Sequence, residues 1–353
     1  MTPLTVLGQV ALFRLVAGAE QLESMSERER RLLVGALNFH ALMAADRTFD
    51  AHLYEGSWQD LPRTTDDATF HGLSRSFARR ELSLTVRSVV PAERRVHHPH
   101  ELDSDELVAH PSRHLHISRD DVLEKEPPRD VVGGGYRRVL RKLRNYAPLL
   151  YDELRDVELR RHRAGLTTRA DRRDYDREFR DGGAFESVPL VLAAPTEEGS
   201  TSAVLIGLHW FELGGAERWA FETVRIVREA GFLPIVLTNR DSHQAWIARA
   251  ELDGALVIPF SEPTVASQTT GTEQLLRALF RSFEIRGVVV HHNQWLYDRL
   301  PWITRSRPGI PVIDSTHIVE YRGGGYPRAS AVATESISTH HVISPSRSAG
   351  CAK

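Results

Sequence analysis

The chain has 353 residues, long enough for two domains with substantial cores, and 45 Lys and Arg nearly balance 47 Asp and Glu. This balance excludes the overall positive field typical of nucleic-acid binding, so we expect no nucleic-acid partner. The single cysteine, Cys351, excludes an intrachain disulfide and argues against a cysteine metal site, which fits a cytoplasmic protein.

The N-terminal half, residues 1–190, is rich in Arg, His and Asp and has few strand-like runs. Its apolar residues recur at helical spacing, which predicts helices over residues 4–22, 27–43, 68–89 and 136–163. Ser26 or Ser24 is the expected N-cap of the second helix, with Glu29 in its first turn. We therefore predict a mainly helical region, and no motif in it indicates a role.

The pattern changes after a polar linker at residues 197–202. Short apolar runs predict strands over residues 203–209, 233–238, 255–259, 286–291, 310–315 and 340–344. The segments between them predict helices over residues 216–230, 243–252, 272–283 and 295–305. Such alternation is typical of a parallel sheet with helices on both faces. We therefore predict an α/β, Rossmann-like domain over residues 203–353.

Polar residues follow several of these strands, and ligands bind beyond the carboxyl ends of parallel strands. The residues concerned are Gly214 and Gly215 after the first strand, Asn239, Arg240 and Asp241 after the second, His291, His292 and Asn293 after the fourth, and Thr316, His317 and Glu320 after the fifth. We expect them to line one crevice.

Gly214 and Gly215 precede an amphipathic helix, whose first amides and dipole favour phosphate or carboxylate. The alternative is a tight turn in which glycine supplies a positive φ. Neither a G-x-G-x-x-G pattern nor a P-loop is present.

The histidines at the strand ends are either ligand-positioning groups or structural hydrogen-bonding groups. We discount a metal site built from His291, His292 and His317, because no carboxylate stands at ligand spacing. On a strand, His114 and His116 would lie on one face and form a feasible metal-binding pair, but a solvated loop is the preferred interpretation. We expect neither a metal nor another cofactor.

The predicted helix over residues 137–163 combines an apolar stripe with an Arg-rich face. A plain solvated face is the preferred interpretation, because acidic residues are interleaved with the basic ones. The alternative is peripheral contact with an anionic membrane surface.

From residue 203 onward the chain resembles the N-terminal domain of the family-4 retaining glycosyltransferases, which have two facing Rossmann-like domains (the GT-B architecture). The likeness is carried by the run from Gly214 to Arg218 with the following helix, by residues 236–238, by residues 288–293 and by residues 312–317. Together these stretches span about 150 residues.

The resemblance implies transfer of a sugar from a nucleotide-sugar donor to a hydroxyl acceptor with retained configuration. It implies that Gly214 and Gly215 contact the donor diphosphate or the acceptor, and that His292 lies near the transferred sugar. His291 stands one place after the first histidine of the family's usual pair, while Asn293 and His317 would line the same cleft.

The family's donor-binding domain, with its Arg/Lys pair and Glu-x7-Glu motif, has no counterpart up to Lys353. We therefore expect the chain to be nearly inactive alone, because stabilising charge on the leaving group is usually the largest catalytic effect. One alternative is a non-catalytic or truncated module that pairs with a separate donor-binding chain. Another is a different Rossmann-like enzyme, such as an epimerase or hydrolase, although no nucleophile elbow supports it.

Overall fold

The computed structural model describes less than half of the N-terminal half and most of the C-terminal half of the chain. The described residues are 3–55, 80–96, 112–117, 200–240, 242–259, 272–316 and 325–342, with single positions at 143, 146, 147, 150 and 157. His317, Asp241 and Glu320, which the sequence places at strand ends, lie outside them.

The N-terminal half contains more strand than we predicted. Its elements are β1 (Leu4–Val6), β2 (Gln9–Ala11), β3 (Phe13–Ala17), α1 (Glu27–Met43), β4 (Thr48–Glu55), β5 (Arg80–Ser88) and β6 (Ser112–Ile117). β1 and β2 form an antiparallel hairpin, and the other four strands form a sheet in the order β3-β5-β4-β6. The prediction of a mainly helical region is therefore wrong for the described residues 4–17, 48–55 and 80–88.

Two local features explain this error. Leu7 and Gly8 both have positive φ values, 51° and 77°, which reverse the chain between β1 and β2 and interrupt a helix. In β5 the apolar residues Leu82, Leu84 and Val86 are buried and alternate with period two, which a helical pattern from residue 68 hides. His114 and His116 lie on β6, so the loop interpretation of that segment is also wrong.

The prediction for α1 is confirmed, including its start. Ser26 Oγ accepts a hydrogen bond from the Glu29 amide (3.3 Å), and the Glu29 carboxylate accepts one from the Ser26 amide (2.8 Å). This reciprocal capping box satisfies two amides that a helix start leaves unpaired.

The described residues of the C-terminal half form an α/β layer with one all-parallel sheet. Its strands are β7 (Ser202–Leu208), β8 (Leu233–Thr238), β9 (Leu256–Pro259), β10 (Glu284–His291), β11 (Val312–Thr316) and β12 (Thr339–Val342). They lie in the order β12-β11-β10-β7-β8-β9, and all five pairings are parallel. The predicted parallel sheet is confirmed.

Helices connect these strands. They are α2 (Gly215–Glu229), α3 (Thr272–Ser282), α4 (Gln294–Tyr297), α5 (Leu300–Ser306) and α6 (Gly325–Val332). The segment 243–252, predicted as one helix, forms two short 3₁₀ turns, Ala245–Ala248 and Ala250–Leu252. Among the described residues, no helix combines the length and apolar character needed to cross a membrane.

The helix predicted over residues 136–163 is described only at isolated positions. Leu143, Tyr146, Leu150 and Val157 are helical, and the last three are exposed. The solvated face stays the preferred prediction for this segment, with peripheral membrane contact as the alternative.

The two halves share one hydrophobic core, because α1 packs against β9 and α3. Asn38 of α1 accepts a hydrogen bond from the Leu12 amide (2.9 Å) and donates to the Val257 carbonyl (3.4 Å). Arg31 pairs with Asp253 at 2.6 Å. The N-terminal helix is therefore part of the layer that covers the parallel sheet.

Gly35 marks the closest approach between α1 and the sheet. A Cβ on Gly35 would overlap the Pro259 ring and lie 3.2 Å from the Val257 carbonyl oxygen. Because backbone and a rigid ring cannot move aside cheaply, only glycine fits there.

We predict that Gly35→Ala lowers the free energy of unfolding by about 1–3 kcal/mol, although alanine is the better helix former. Urea denaturation measures the change. Gly287→Ala is the matched control, since its Cβ would meet only the Pro311 carbonyl oxygen at 3.6 Å, and it should leave stability unchanged or slightly higher. A Gly35→Ala protein more stable than the wild type would contradict this packing.

Candidate functional site: a crevice at the centre of the parallel sheet

The centre of the sheet is a topological switch point. β7 and β10 are parallel neighbours, with Leu208 opposite His291 at their carboxyl ends. The chain leaves β7 toward β8 on one side and leaves β10 toward β11 on the other. Two diverging loops open a crevice at such a point, which is where open α/β sheets bind ligands.

The loops after β7 and β10 carry most of the residues that we predicted for the site. Gly214 and Gly215 lie on the first, and His292 and Asn293 on the second, at the same edge of the sheet. The structure therefore brings these four residues to one rim, while His291 is the last residue of β10 itself.

His292 has an unusual backbone conformation. Its φ is 54°, in the left-handed region that non-glycine residues rarely adopt, and its side chain is fully buried. The imidazole stacks on the Tyr326 ring of α6, with centroids 4.7 Å apart and planes 3° from parallel. Strain of about 1–3 kcal/mol at such a residue is typical of ligand-binding sites.

His209, which was not among the residues predicted for the site, completes a cluster of three rings with His292 and Tyr326. Its ring centroid is 5.8 Å from that of His292 and 5.9 Å from that of Tyr326. Its Nε2 lies 3.2 Å from Oε1 of Glu217 in the first turn of α2. The signal was available, because His209 directly follows an apolar strand and Glu217 opens the next helix.

Burial keeps the His209 imidazole neutral. Desolvation, then the charges of His292 and Arg240, lower the pKa of His209 to about 3. Desolvation and the nearby Glu212 raise the pKa of Glu217, against hydrogen bonds from its own amide and from Trp210. With an ionised Glu217, the neutral imidazole donates from Nε2 and leaves Nδ1 as an acceptor.

Gly214 and Gly215 have different roles. Gly214 is extended, with φ of −168°, so its conformation does not require glycine. Its missing side chain makes room for the Glu217 carboxylate, which a Cβ would overlap. Gly215 is exposed, and no atom lies within 4 Å of a Cβ built on it. Gly214 therefore accommodates a group of the protein itself, and Gly215 borders open space.

Asn293 connects the loop after β10 to the end of β7 through its side-chain hydrogen bonds. Its Oδ1 accepts a hydrogen bond from the Leu296 amide (2.9 Å), which caps α4, and its Nδ2 donates to the Leu208 carbonyl (2.7 Å). Gly207 lets this contact form, because a Cβ there would lie 2.7 Å from Leu296 Cδ2. The side chain of Asn293 thus fixes the loop after β10 to the end of β7.

A second tie fixes the loop after β7 to the loop after β8. Gln244 has a left-handed φ of 58° and is fully buried. Its Oε1 accepts from the Phe211 amide (2.6 Å), and its Nε2 donates to the Arg240 carbonyl (3.0 Å). Its own amide donates to Glu212 at 2.8 Å. These bonds hold the segment between His209 and α2 in place.

A buried carboxylate, Asp314 on β11, anchors the other side of the crevice. It accepts hydrogen bonds from the hydroxyls of Tyr297, of Thr316 at 3.0 Å and of Ser330 at 2.7 Å, and lies 3.1 Å from His340 Nδ1. Burial and the Asp314 charge raise the pKa of Tyr297 well above its usual value. Because Ser330 lies one turn after Tyr326 on α6, this network fixes the ring beneath His292.

No group of three or more His, Cys, Asp or Glu side chains is arranged to hold a metal ion within the described part of the chain.

We predict that Asp314→Asn lowers the free energy of unfolding by about 2–3 kcal/mol, because an amide nitrogen would face hydroxyl donors in a buried site. Chemical denaturation measures this change. Asp46→Asn, at a half-exposed carboxylate paired with Arg87, is the control and should cost less than about 1 kcal/mol. Equal effects at the two positions would contradict the Asp314 network.

A second prediction concerns acid stability. A neutral His209 with a folded pKa of about 3 is protonated in the unfolded chain below about pH 6.5, so stability is lost as the pH falls from 6.5 toward 3. Denaturation of the wild type and of His209→Gln at pH 7, 6 and 5 should show their difference changing by up to about 1.4 kcal/mol per pH unit. The buried His40 remains in both proteins, so its effect cancels. A difference independent of pH would show that His209 titrates normally.

Comparison of the chain with family models, with curated proteins and with solved structures found no significant match. The crevice residues and their geometry therefore provide the grounds for a functional proposal.

Proposed function

We propose that residues 200–342 form the acceptor-side, Rossmann-like unit of a retaining glycosyltransferase with GT-B architecture. The reaction would transfer a sugar from a nucleotide-sugar donor to a hydroxyl acceptor. The observation that carries the proposal is the ring cluster of His209, His292 and Tyr326 at the switch point of a parallel sheet. The motifs shared with the family-4 enzymes support it.

The chemistry of the cluster suits sugar hydroxyls. The neutral His209 imidazole offers one donor and one acceptor, and tyrosine offers both in one hydroxyl. Aromatic faces also pack against apolar surface. In this proposal His292, held in a strained conformation, positions the transferred sugar. Gly215, exposed beside open space, allows a ligand to approach the backbone closely.

In the transfer step, the acceptor oxygen forms a bond to the anomeric carbon while the bond from that carbon to the diphosphate oxygen breaks. The diphosphate leaves with the bonding electrons, and the proton of the acceptor hydroxyl passes to an oxygen of the departing diphosphate. The charge on the departing diphosphate requires cationic groups. We propose that a separate donor-binding unit supplies them.

A non-catalytic module that pairs with such a unit is the second candidate. The observation that favours it is that neither His209, a neutral imidazole, nor Glu217, a carboxyl group, carries a positive charge. Neither group stabilises a departing diphosphate. Restoration of sugar transfer by an added donor-binding chain would separate a complementing subunit from a module that only binds.

The proposal is tested by nuclear magnetic resonance of the histidine side chains during titration with nucleoside-diphosphate sugars and simple glycosides. We expect sugar-dependent shifts of the His209 and His292 signals, because the fully buried His292 ring packs 5.8 Å from the His209 ring and stacks on Tyr326, so a ligand beside the cluster would change the surroundings of both imidazoles. His292→Gly, which keeps the left-handed backbone without strain, should remove the response at His209 by lowering affinity at least about tenfold.

Leu7→Gly is the matched control, since Leu7 is another non-glycine residue with positive φ (51°) but lies on the exposed β1–β2 turn. It should bind as the wild type does. Absence of any sugar response at both imidazoles, or binding of NAD in the crevice instead, would contradict the proposal.

A further inference from the structure

The first turn of α2 is the place where the sequence predicts an anion. α2 has 15 residues, and its N-cap residue is Gly214, which has no side chain that could accept a hydrogen bond from the first amides of the helix. Unpaired amides and the helix dipole together favour negative charge at such a start. A phosphate of the donor would be the expected occupant.

The protein fills this position with its own carboxylate. Glu217 is the third residue of α2, and only 4% of its side chain is exposed. The carboxylate bonds its own backbone amide, accepts a hydrogen bond from the Trp210 side chain and lies 3.2 Å from Nε2 of His209. It rests against Gly214, where a Cβ would overlap the carboxylate in its present position. The donors around it are therefore already engaged.

An external phosphate at this helix start would have to displace Glu217 or lie beside its charge. Displacement would strip a buried carboxylate of three hydrogen-bond partners, and close approach of two negative groups in a partly desolvated site is unfavourable. A hydroxyl group meets neither obstacle, because it carries no charge and can donate to His209 Nδ1.

We propose that Glu217 is the built-in occupant of the anion position of α2 and makes the crevice select uncharged, hydroxyl-bearing ligands over phosphates. The inference rests on the proposed function in one respect, since the uncharged ligand would be the acceptor of the transfer. It assigns the loop of Gly214 and Gly215 to the acceptor and places the donor diphosphate elsewhere. Glu217 thus acts as a specificity residue.

The test uses pyrophosphate as the probe and the full chain in three forms: wild type, Glu217→Gln and Glu217→Ala. Glutamine keeps the shape of the side chain and removes its charge, while alanine also empties the space. Titration is followed by the His209 side-chain signal and by calorimetry. We expect no saturable crevice binding by the wild type in the millimolar range, and an affinity gain of at least about tenfold in both variants.

Glu212→Gln is the matched control, because Glu212 carries a charge near Glu217 but lies before the helix and bonds the Gln244 amide. It should gain little pyrophosphate affinity. Wild-type binding of pyrophosphate at the His209 signal would overturn the inference without any variant. Failure of both Glu217 variants to gain affinity would also overturn it.

The outcome is separable from that of the sugar titration. Pyrophosphate binding by the wild type together with a sugar response would leave the sugar-transfer proposal intact and reassign the glycine loop to the donor. A gain of pyrophosphate affinity in the variants, without any sugar response, would keep the role of Glu217 and remove sugar transfer.

Discussion

The parallel pairing of β7 with β10 is the constraint on which the rest of the structure depends. Because the two strands run side by side and their connections diverge, the residues that follow them meet at one edge of the sheet. Asn293 then locks this arrangement, since it caps α4 and bonds the carbonyl at the end of β7. His209 and His292 directly follow these two neighbouring strands, so the backbone places their rings close together.

The N-terminal half supports the same sheet from outside. α1 packs on β9 through Gly35 and bonds it through Asn38, and Arg94 donates to the carbonyls of Arg281 and Ser282 at the end of α3. The α/β layer of this chain is therefore covered partly by a helix that precedes it by more than 150 residues. A polar linker in the sequence marks a change of pattern but does not separate two cores.

Sequence patterns predicted the parallel sheet well, because most of its strands are short apolar runs and Gly231 follows α2 with positive φ where the helix must stop. They failed where the backbone conformation of one residue reverses the chain, as at Leu7, whose positive φ lies in a turn between two strands where a helix was predicted. They also missed the Asp314 network, whose partner His340 lies 26 residues away, since burial and side-chain convergence are not local properties. The role of Glu217 was missed for a related reason. A charged residue is expected at the surface, and only the structure shows that the Glu217 carboxylate is buried against Gly214.

The chemistry of the crevice is set by desolvation more than by net charge. Burial holds His209 neutral and lets Glu217 occupy a helix start, so these two side chains offer hydrogen bonds without carrying positive charge. The most direct test of this account is a crystal structure of the chain with an uncharged glycoside. We predict a sugar ring at the carboxyl edge of β7 and β10, within hydrogen-bond distance of His209 and beside the stacked rings of His292 and Tyr326. A glycoside bound at a different surface, with this crevice empty, would contradict the account.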